Sequence, residues 1–425
     1  MLSDNTERSL VMVSEEYFKN LLGDLYNFSL FKFLHGEGHL YDNSNPPIPI
    51  RWGLCVDVSG NKILALSTEG IYINDFSEGN RMKKLMLEGK SNCNEWRINT
   101  TDLVVISQEY SFETNCTTLR CIFNQLILEK EFSRITSIKA HLTNFHFLGL
   151  ESSCYGKRRV MDKFSFTSNG RNIEFKLNEN ANEVKKMITS GRISAAIMST
   201  LTFNVFPNES LQSISDELDD ITLFLSSLTL NTNYAQVVEY YCDQEVVRLE
   251  IANRIISKYH GNVLIDNHLI PAGLKKAFVS SYQDFKRLKE ALNLIKFINL
   301  VTELQNQRFI EMKIAYLIIA FEYLLSQYLI FLGHDESEIE KLNIQQKLGK
   351  INKEFKFIPK ALLKDEFRDG IRNPLFHTGT IPFKTTREKI DIFIQYYDLL
   401  MRIYLKIINV QGEYISRINY SPTSI

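Results

Sequence analysis

The run IRNPLFHTG holds Arg372 and His377 with four residues between them, and these two side chains could act together on a phosphodiester. Cleavage of RNA without a metal requires a proton acceptor near the ribose 2′-hydroxyl and a fixed positive charge where negative charge develops on the phosphate. A histidine titrates near neutral pH, and an arginine guanidinium is always charged. The pair therefore predicts acid–base chemistry on a phosphate ester.

The residues between the pair predict how it is positioned. Asn373 and His377 are four residues apart, so they share one face if the segment is helical. Pro374 has no backbone N–H, so we expect a helix to restart there with Asn373 as its cap. A bend at this point would let Arg372 and His377 converge.

Spacing alone is weak support, because the chain holds two more arginine–histidine pairs at similar spacing, Arg134–His141 and Arg254–His260. For those two pairs we expect structural roles. A structural alternative exists for the first pair as well. His377 could be a buried histidine bonded to a backbone carbonyl, and Arg372 a cation at a helix end.

The surrounding sequence distinguishes the first pair, because RNPLFHTG resembles the signature motif of HEPN domains. In that family the motif follows a central helix carrying an acid and precedes a closing helix. Glu322 in AFEYLL resembles that acid, residues 387–410 resemble the closing helix, and the resemblance covers about residues 260–412. More narrowly, the chain resembles the ApeA-like branch of anti-phage proteins, since residues 220–240 (DITLFLSSLTLNTNYAQVVEY) are similar to the end of its β-rich domain.

The resemblance implies a metal-independent endoribonuclease that leaves a 2′,3′-cyclic phosphate and a 5′-hydroxyl, with no cofactor. His377 would be the general acid–base, Arg372 would position the phosphate, Asn373 would orient the pair, and Glu322 would hold Arg372 or His377. The site would be shared in a homodimer formed through the helical half. The function implied is cleavage of RNA, with tRNA as one candidate, in abortive infection. The alternative is a non-catalytic module that binds a nucleotide or a protein.

The elements that position the motif fall into two halves, so the expected fold class is α+β. Residues 1–255 contain short alternating runs at 52–58, 62–68, 103–110, 118–128, 201–206 and 235–241, which predict a β-rich domain of sandwich or barrel type. Residues 213–229 show helical spacing within this half. Residues 256–425 predict an all-α, HEPN-like bundle.

Three helices are predicted in the second half. Phe285, Leu288, Leu292, Ile295 and Ile298 step by three and four, as on one helix face. Residues 308–332 form a longer apolar helix, and residues 387–410 form the last one. The apolar run at 314–332 is almost long enough to span a bilayer, but an ionised acid at its centre would cost about 2.5–3.5 kcal/mol there. We therefore expect a buried helix of a bundle and no membrane partner.

Basic residues surround the motif. Residues 341–389 carry a net charge of +7, so this segment is expected to bind RNA phosphates. The residues predicted to bind RNA are Lys350, Lys353, Lys356, Lys360, Lys364 and Arg368. Phe355, Phe357 and Phe376 could stack bases. The alternative is a solvated helix face above core phenylalanines.

Charge and composition limit the other function classes. Residues 1–255 have a net charge of −7 and residues 256–425 a net charge of +6, so a polyanion would meet the second half. Six cysteines without a CxxC pair, and a polar N-terminus, predict reduced thiols in a cytoplasmic protein. The HGEGHL run is a poor metal site because its glycines disfavour a helix. We expect the acidic first half to sense a phage-derived trigger or to restrain the nuclease.

Overall fold

The computed structural model describes residues 14–41, 46–69, 77–78, 81–82, 84–91, 96–155, 158–254, 257–363, 368–382 and 384–425. The chain divides into two compact units. The first comprises residues 1–146, 173–211 and 234–256, and the second comprises residues 147–172, 212–233 and 257–425. The sequence predicted one boundary, at residue 255, whereas the second unit also includes two earlier segments.

Strands dominate the first unit. The strands of the chain are β1 (Phe31–Tyr41), β2 (Ile48–Val56), β3 (Lys62–Glu69), β4 (Ser77–Glu78), β5 (Arg81–Met82), β6 (Leu85–Ser91), β7 (Arg97–Ser111), β8 (Cys116–Ile122), β9 (Gln125–Glu129), β10 (Ser137–Thr143), β11 (Glu151–Tyr155), β12 (Arg158–Ser168), β13 (Arg171–Leu177), β14 (Ile197–Asn204), β15 (Ala235–Cys242), β16 (Glu245–Ala252), β17 (Glu413–Ile415) and β18 (Pro422–Ser424).

Six of these strands close into a ring. They pair antiparallel in the order β1, β2, β3, β8, β7 and β6, and β6 pairs again with β1. Their apolar side chains, among them Trp52, Leu64, Leu87 and Leu119, belong to one buried cluster. Closure of the ring leaves its strands without a free edge. A β-rich first half is thus confirmed, with a barrel-like part.

The run at 118–128, predicted as one strand, is interrupted at residues 123–124. Before this point β8 pairs with β3, and after it β9 pairs with β16, while β7 accompanies both. Asp102 on β7 lies opposite the break with a φ of 58°. The chain leaves the ring here and enters a second row of strands, β9, β16, β15, β10, β14 and β13. Alternating hydrophobicity continues through such a kink, so the sequence pattern does not detect it.

Two glycines allow close approach of two ring strands. Gly38 of β1 lies opposite Gly89 of β6. A Cβ atom at Gly38 would lie 2.3 Å from the Glu88 carbonyl oxygen, and one at Gly89 would lie 2.4 Å from the Glu37 carbonyl oxygen. Since backbone atoms form both contacts, no side-chain rotation relieves them.

We expect Gly89→Ala to lower the free energy of unfolding by about 1–3 kcal/mol, because the added methyl group must push two paired strands apart. Urea denaturation of the purified variant measures the change. The matched control is Gly349→Ala in a helix, where a Cβ would meet nothing within 4 Å. That substitution should raise stability by about 0.5–1 kcal/mol. An unchanged midpoint for Gly89→Ala would contradict the close approach.

Helices dominate the second unit. The helices of the chain are α1 (Glu15–Leu22), α2 (Ala181–Thr189), α3 (Leu211–Thr229), α4 (Gly273–Ala291), α5 (Leu294–Asn306), α6 (Ile310–Phe331), α7 (Glu336–Glu340), α8 (Ile344–Phe355), α9 (Asn373–Thr378) and α10 (Thr386–Ile407), with 3₁₀ turns at Gly23–Phe28 and Lys360–Leu363 and a π-helical turn at Arg368–Arg372. A mainly helical second half is therefore confirmed, and the chain is α+β. The prediction that residues 256–425 are all-α is wrong, because β17 and β18 follow α10 and pair with each other.

The face predicted from Phe285 to Ile298 does not belong to one helix. α4 ends at Ala291, and Asn293 adopts a φ of 43° before α5 begins. Asparagine tolerates this left-handed conformation better than most residues, which permits the chain to turn here. Phe285 and Leu288 are buried, but Ile295 is 43% exposed. Regular spacing across such a turn is a coincidence of the sequence.

α6 is the central helix of the second unit. It contacts α5, α7, α8, α9 and α10, and its buried residues include Leu317, Phe321 and Leu324. Among the residues that the structure describes, α6 is the one helix long and apolar enough to cross a membrane, and half of its apolar window is buried within the protein. The core helix of a soluble protein has the same length and composition, and the packing of α6 fits that description.

Polar side chains mark the starts of the helices around α6. Asn343 and Gln346 form a capping box at α8, and Thr385 and Glu388 form another at α10. Each box pairs two backbone N–H groups that would otherwise lack partners. These caps fix where α8 and α10 begin, and so fix which of their residues face α6.

Candidate active site

The residues of the motif lie on one continuous helical segment, without a break between Arg372 and His377. The π-helical turn Arg368–Arg372 leads directly into α9, and Arg372 has helical angles of φ −61° and ψ −56°. The predicted cap by Asn373 is therefore wrong, and Pro374 lies within the first turn of α9. Because proline has no N–H and crowds the preceding turn, the wider π geometry before it accommodates the ring.

Arg372 is held by a carboxylate from α6. Its Nε donates to Glu322 Oε1 at 2.6 Å, and both side chains are about one-third exposed. Its Nη1 donates to Asn373 Oδ1 at 3.3 Å. Among the described residues no group accepts a hydrogen bond from Nη2. The structure thus brings together Glu322, Arg372 and Asn373, three of the four predicted residues. These contacts hold the guanidinium through Nε and Nη1 and leave Nη2 available to a ligand.

Asn373 links the guanidinium to the π-helical turn. Its side-chain oxygen accepts from Arg372, and its Nδ2 donates to Asp369 Oδ1 at 3.5 Å. Asn373 and His377 lie one turn apart on α9 and therefore on the same side of that helix. The amide is placed to orient Arg372 on the face where the imidazole lies.

His377 lies in the last turn of α9, which Gly379 ends with a φ of 74°. Its side chain is exposed, and within the described part of the chain its ring has neither a hydrogen-bond partner nor an ion pair. A buried structural histidine is therefore excluded. An imidazole that is accessible and not engaged by the protein is available to a ligand.

Phe376 completes the exposed surface beside the motif. Its side chain is 48% exposed, and the Arg372 guanidinium carbon lies 5.6 Å from the centre of its ring. Phe355 and Phe357 are different, because Phe355 stacks against Tyr328 and Phe357 at centroid distances of 5.8 and 6.1 Å. Of the three phenylalanines predicted to stack bases, Phe376 is the most exposed.

The lysines predicted to bind RNA lie along α8 and just beyond it. Lys350 is half-buried, while Lys353, Lys356 and Lys360 are exposed. Arg368 forms a two-pronged pair with Asp369, at 2.8 and 3.0 Å. Lys364 lies outside the described residues. The exposed ammonium groups are open to solvent at one end of the segment that precedes the motif.

Lys347 also lies near the site, although it is not part of the sequence motif. It is 6% exposed, and its Nζ donates to Ser326 Oγ at 2.8 Å. Ser326 in turn donates to the backbone carbonyl of Glu322 at 2.6 Å. Burial lowers the pKa of Lys347, the charge of Arg372 lowers it further, and Glu322 acts in the opposite direction. Lys347 is therefore a second, buried cation close to the Glu322–Arg372 pair.

The sequence does contain a signal for Lys347. It lies three residues after Ile344 and four before Ile351, so it shares the apolar face of α8 with them. A lysine within an apolar stripe is seldom buried without a partner. A lysine at such a position is therefore a candidate functional residue and not simply part of a solvated helix face.

Members of the two other arginine–histidine pairs contact other residues of the protein. Arg134 pairs with Asp243 at 3.2 Å on the surface, whereas His141 is buried and lies 2.5 Å from Glu239. His260 Nε2 lies 2.7 Å from Asn306 Oδ1.

No metal centre is found among the described residues, where no three His, Cys, Asp or Glu side chains cluster suitably. His35 and His39 both lie on β1 rather than on a helix. Comparisons with protein-family models, curated proteins and solved structures find no match for this chain. What the site offers chemically is a fixed guanidinium, an amide and an accessible imidazole on one short helical segment.

Proposed function

We propose that this chain is a metal-independent endoribonuclease of the HEPN type, and that Glu322, Arg372, Asn373 and His377 form its site. One observation carries the proposal. The Arg372 guanidinium is held at 2.6 Å by Glu322, while the imidazole five residues further on is exposed and unengaged among the described residues. A structural pair would bury or bond both groups.

His377 has the properties of the proton acceptor. In the proposed reaction its neutral imidazole takes the proton from a ribose 2′-hydroxyl, and the 2′-oxygen attacks the adjacent phosphorus. The bond from phosphorus to the 5′-oxygen of the next nucleotide breaks. The products are a 2′,3′-cyclic phosphate and a 5′-hydroxyl, once that oxygen receives a proton.

Arg372 stabilises the charge that develops on the phosphate. Its Nε and Nη1 are engaged by Glu322 and Asn373, so Nη2 can donate to a non-bridging phosphate oxygen. Because these contacts exist before a ligand binds, little reorganisation is needed during the reaction. Lys347 adds a second positive charge near the same carboxylate.

The second proton transfer motivates a dimer. Each chain contributes one exposed histidine to the motif, while the 5′-oxygen needs a proton donor at the moment when the 2′-oxygen loses its proton. A second His377 from another copy of the chain would supply it. We therefore propose a homodimer through the helical unit.

The basic residues of α8 and the segment just after it would bind the RNA backbone. Lys353, Lys356 and Lys360 are exposed, and they lie within a segment with a net charge of +7. Phe376 would stack against a base next to the scissile phosphate. This arrangement suits a single-stranded segment of RNA, such as a loop of tRNA.

The biological role that we propose is abortive defence against phage in the cytoplasm, with the β-rich unit as the sensor or restraint. That unit has a groove of about 960 Å³ that is lined by residues of the ring strands, among others. Glu37, Glu88, Arg51, Lys90 and Arg97 line it. A trigger with charges of both signs would fit such a lining.

A second candidate function is the binding of a nucleotide without cleavage. Phe376 favours it, because an exposed ring beside a guanidinium can hold a base and a phosphate together. In that case His377 would contact the ligand without transferring a proton.

The experiment that separates the two functions uses total bacterial RNA in EDTA, incubated with wild-type protein and with His377→Ala. We expect the wild type alone to produce new ends, carrying 5′-hydroxyl groups. The readout is sequencing of the ends after kinase treatment. Equal cleavage by both proteins would contradict the assigned site. If neither cleaves RNA, even when purified from phage-infected cells, the binding function is favoured.

A further inference from the structure

An exposed apolar stripe runs along α6 on the side away from its core contacts. Met312, Tyr316, Ile319 and Tyr323 follow one another at spacings of four, three and four residues. Met312 is 45% exposed and Ile319 is 39% exposed. This spacing is typical of helices that pack against another helix along their length.

α5 borders the stripe and adds charge to it. Between α5 and α6 lies a groove of about 400 Å³, lined by Ile295, Lys296, Asn299, Leu300 and Glu303 of α5 and Tyr316 of α6. Ile295 is 43% exposed, so an apolar residue stands at one end of the groove. The groove and the stripe form one surface, which we call the α5–α6 face.

Both charges on this face are held in place. The Lys296 ammonium lies 4.6 Å from the centre of the Tyr323 ring. The Glu303 carboxylate accepts from Gln307 at 2.6 Å and from Asn306 at 3.3 Å. Neither charge forms an ion pair among the described residues. The two α-carbons are separated by about 10 Å along the helix axis, at about 1.5 Å per residue.

The face is complementary to itself. If two copies of α5 pack antiparallel about an axis near Asn299 and Leu300, Lys296 of each copy lies opposite Glu303 of the other. The same axis places Met312 opposite Ile319, since Tyr316 lies close to the midpoint of those two residues and lines the groove beside Leu300. One two-fold axis thus satisfies both the charges and the apolar residues.

We propose that the α5–α6 face is where a second copy of this chain docks, antiparallel and with two-fold symmetry. The self-complementary charges favour a second copy over an unrelated partner. Glu322 lies three residues after Ile319 and about 60° around the helix, so the second copy would lie beside the Glu322–Arg372 pair. This last consequence rests on the proposed function, whereas the docking face does not.

The test is a charge reversal and its rescue by mixing. In a dimer of Lys296→Glu, each of the two symmetry-related contacts brings two glutamates together. In a dimer of Glu303→Lys, each contact brings two lysines together. We expect each single variant to dissociate at least about tenfold more readily than the wild type, as sedimentation equilibrium measures. When the two variants are mixed, both contacts again join opposite charges, so the heterodimer should regain wild-type affinity.

Controls keep the result interpretable. Lys276→Glu reverses an exposed charge on α4, away from the face, and should leave the dimer unchanged. Circular dichroism shows whether each variant is folded. A wild type that is monomeric at micromolar concentration, or a mixture without rescue, overturns the proposed face. These measurements need no RNA, so they are independent of whether the chain cleaves RNA.

Discussion

Arg372→Lys should lower the single-turnover rate of RNA cleavage by about 10²–10³-fold while the protein remains folded. The substitution retains the positive charge, so the loss would come from geometry. In the wild type, Nε is bonded to Glu322 and Nη1 to Asn373, which aims the remaining nitrogen of a planar group. An ammonium is a point charge on a flexible stem and cannot hold both neighbours while it donates to a phosphate.

The measurement is the decay of a short labelled RNA with enzyme in excess. Arg287→Lys is the matched control, because Arg287 also pairs with a carboxylate, that of Asp284 at 2.9 Å, but lies on α4 outside the site. It should cleave at the wild-type rate. A normal rate for Arg372→Lys would show that charge alone is required and that the forked contact has no role.

Lys347→Met should lower the cleavage rate about tenfold without lowering the stability of the protein. The cleavage falls because a cation near Glu322 and the phosphate site is lost. Stability is retained because a buried ammonium that donates to Ser326 is replaced by an apolar side chain of similar length. Loss of activity without loss of stability is the pattern expected of a functional residue.

The pH dependence of unfolding gives an independent readout. The folded protein holds the pKa of Lys347 below its ordinary value of 10.5, mainly through burial. Between the folded and the ordinary pKa the unfolded chain binds more protons, so the free energy of unfolding gains a positive slope with pH. The wild type should therefore approach or overtake Lys347→Met in stability as the pH rises toward about 10.

Urea denaturation at neutral pH and at about pH 10 measures this difference. Lys350→Met is the control, since Lys350 is one turn away on α8 and only half-buried. It should show no comparable pH dependence. A stability advantage of Lys347→Met over the wild type that grows with pH would contradict the assigned direction.

The sequence predicts the long helices and strands of this fold better than the points where the chain turns or changes its pairing partner. The two halves and the helix of Glu322 follow from periodicity, because each involves a long stretch of one pattern. The turn at Asn293 does not, since the apolar spacing of Phe285 to Ile298 continues across it. The kink at residues 123–124 is missed for the same reason, as pairing partners change without a change in the pattern.

The candidate site shows the same limit. Arg372, Asn373 and His377 are neighbours in the chain, so one motif identifies them. Glu322 lies 50 residues before Arg372, and only the family resemblance predicts that it belongs to the site. Lys347 reaches the same pair through Ser326, a contact that no spacing encodes. The sequence signal for Lys347 is a charge within an apolar helix face. That signal does not identify the residues that surround the charge in the folded protein.

α6 is synthesised before α10, the helix that packs against it. When its last residue leaves the ribosome, roughly 75 residues remain before α10 is complete, which takes about 4–15 seconds at about 5–20 residues per second. During that interval the apolar face that α10 later covers has no partner. Glu322 lies within this stretch and carries a charge that disfavours entry into a bilayer. The carboxylate that fixes Arg372 in the folded protein thus also raises the free-energy cost of moving the unfinished helix into a bilayer.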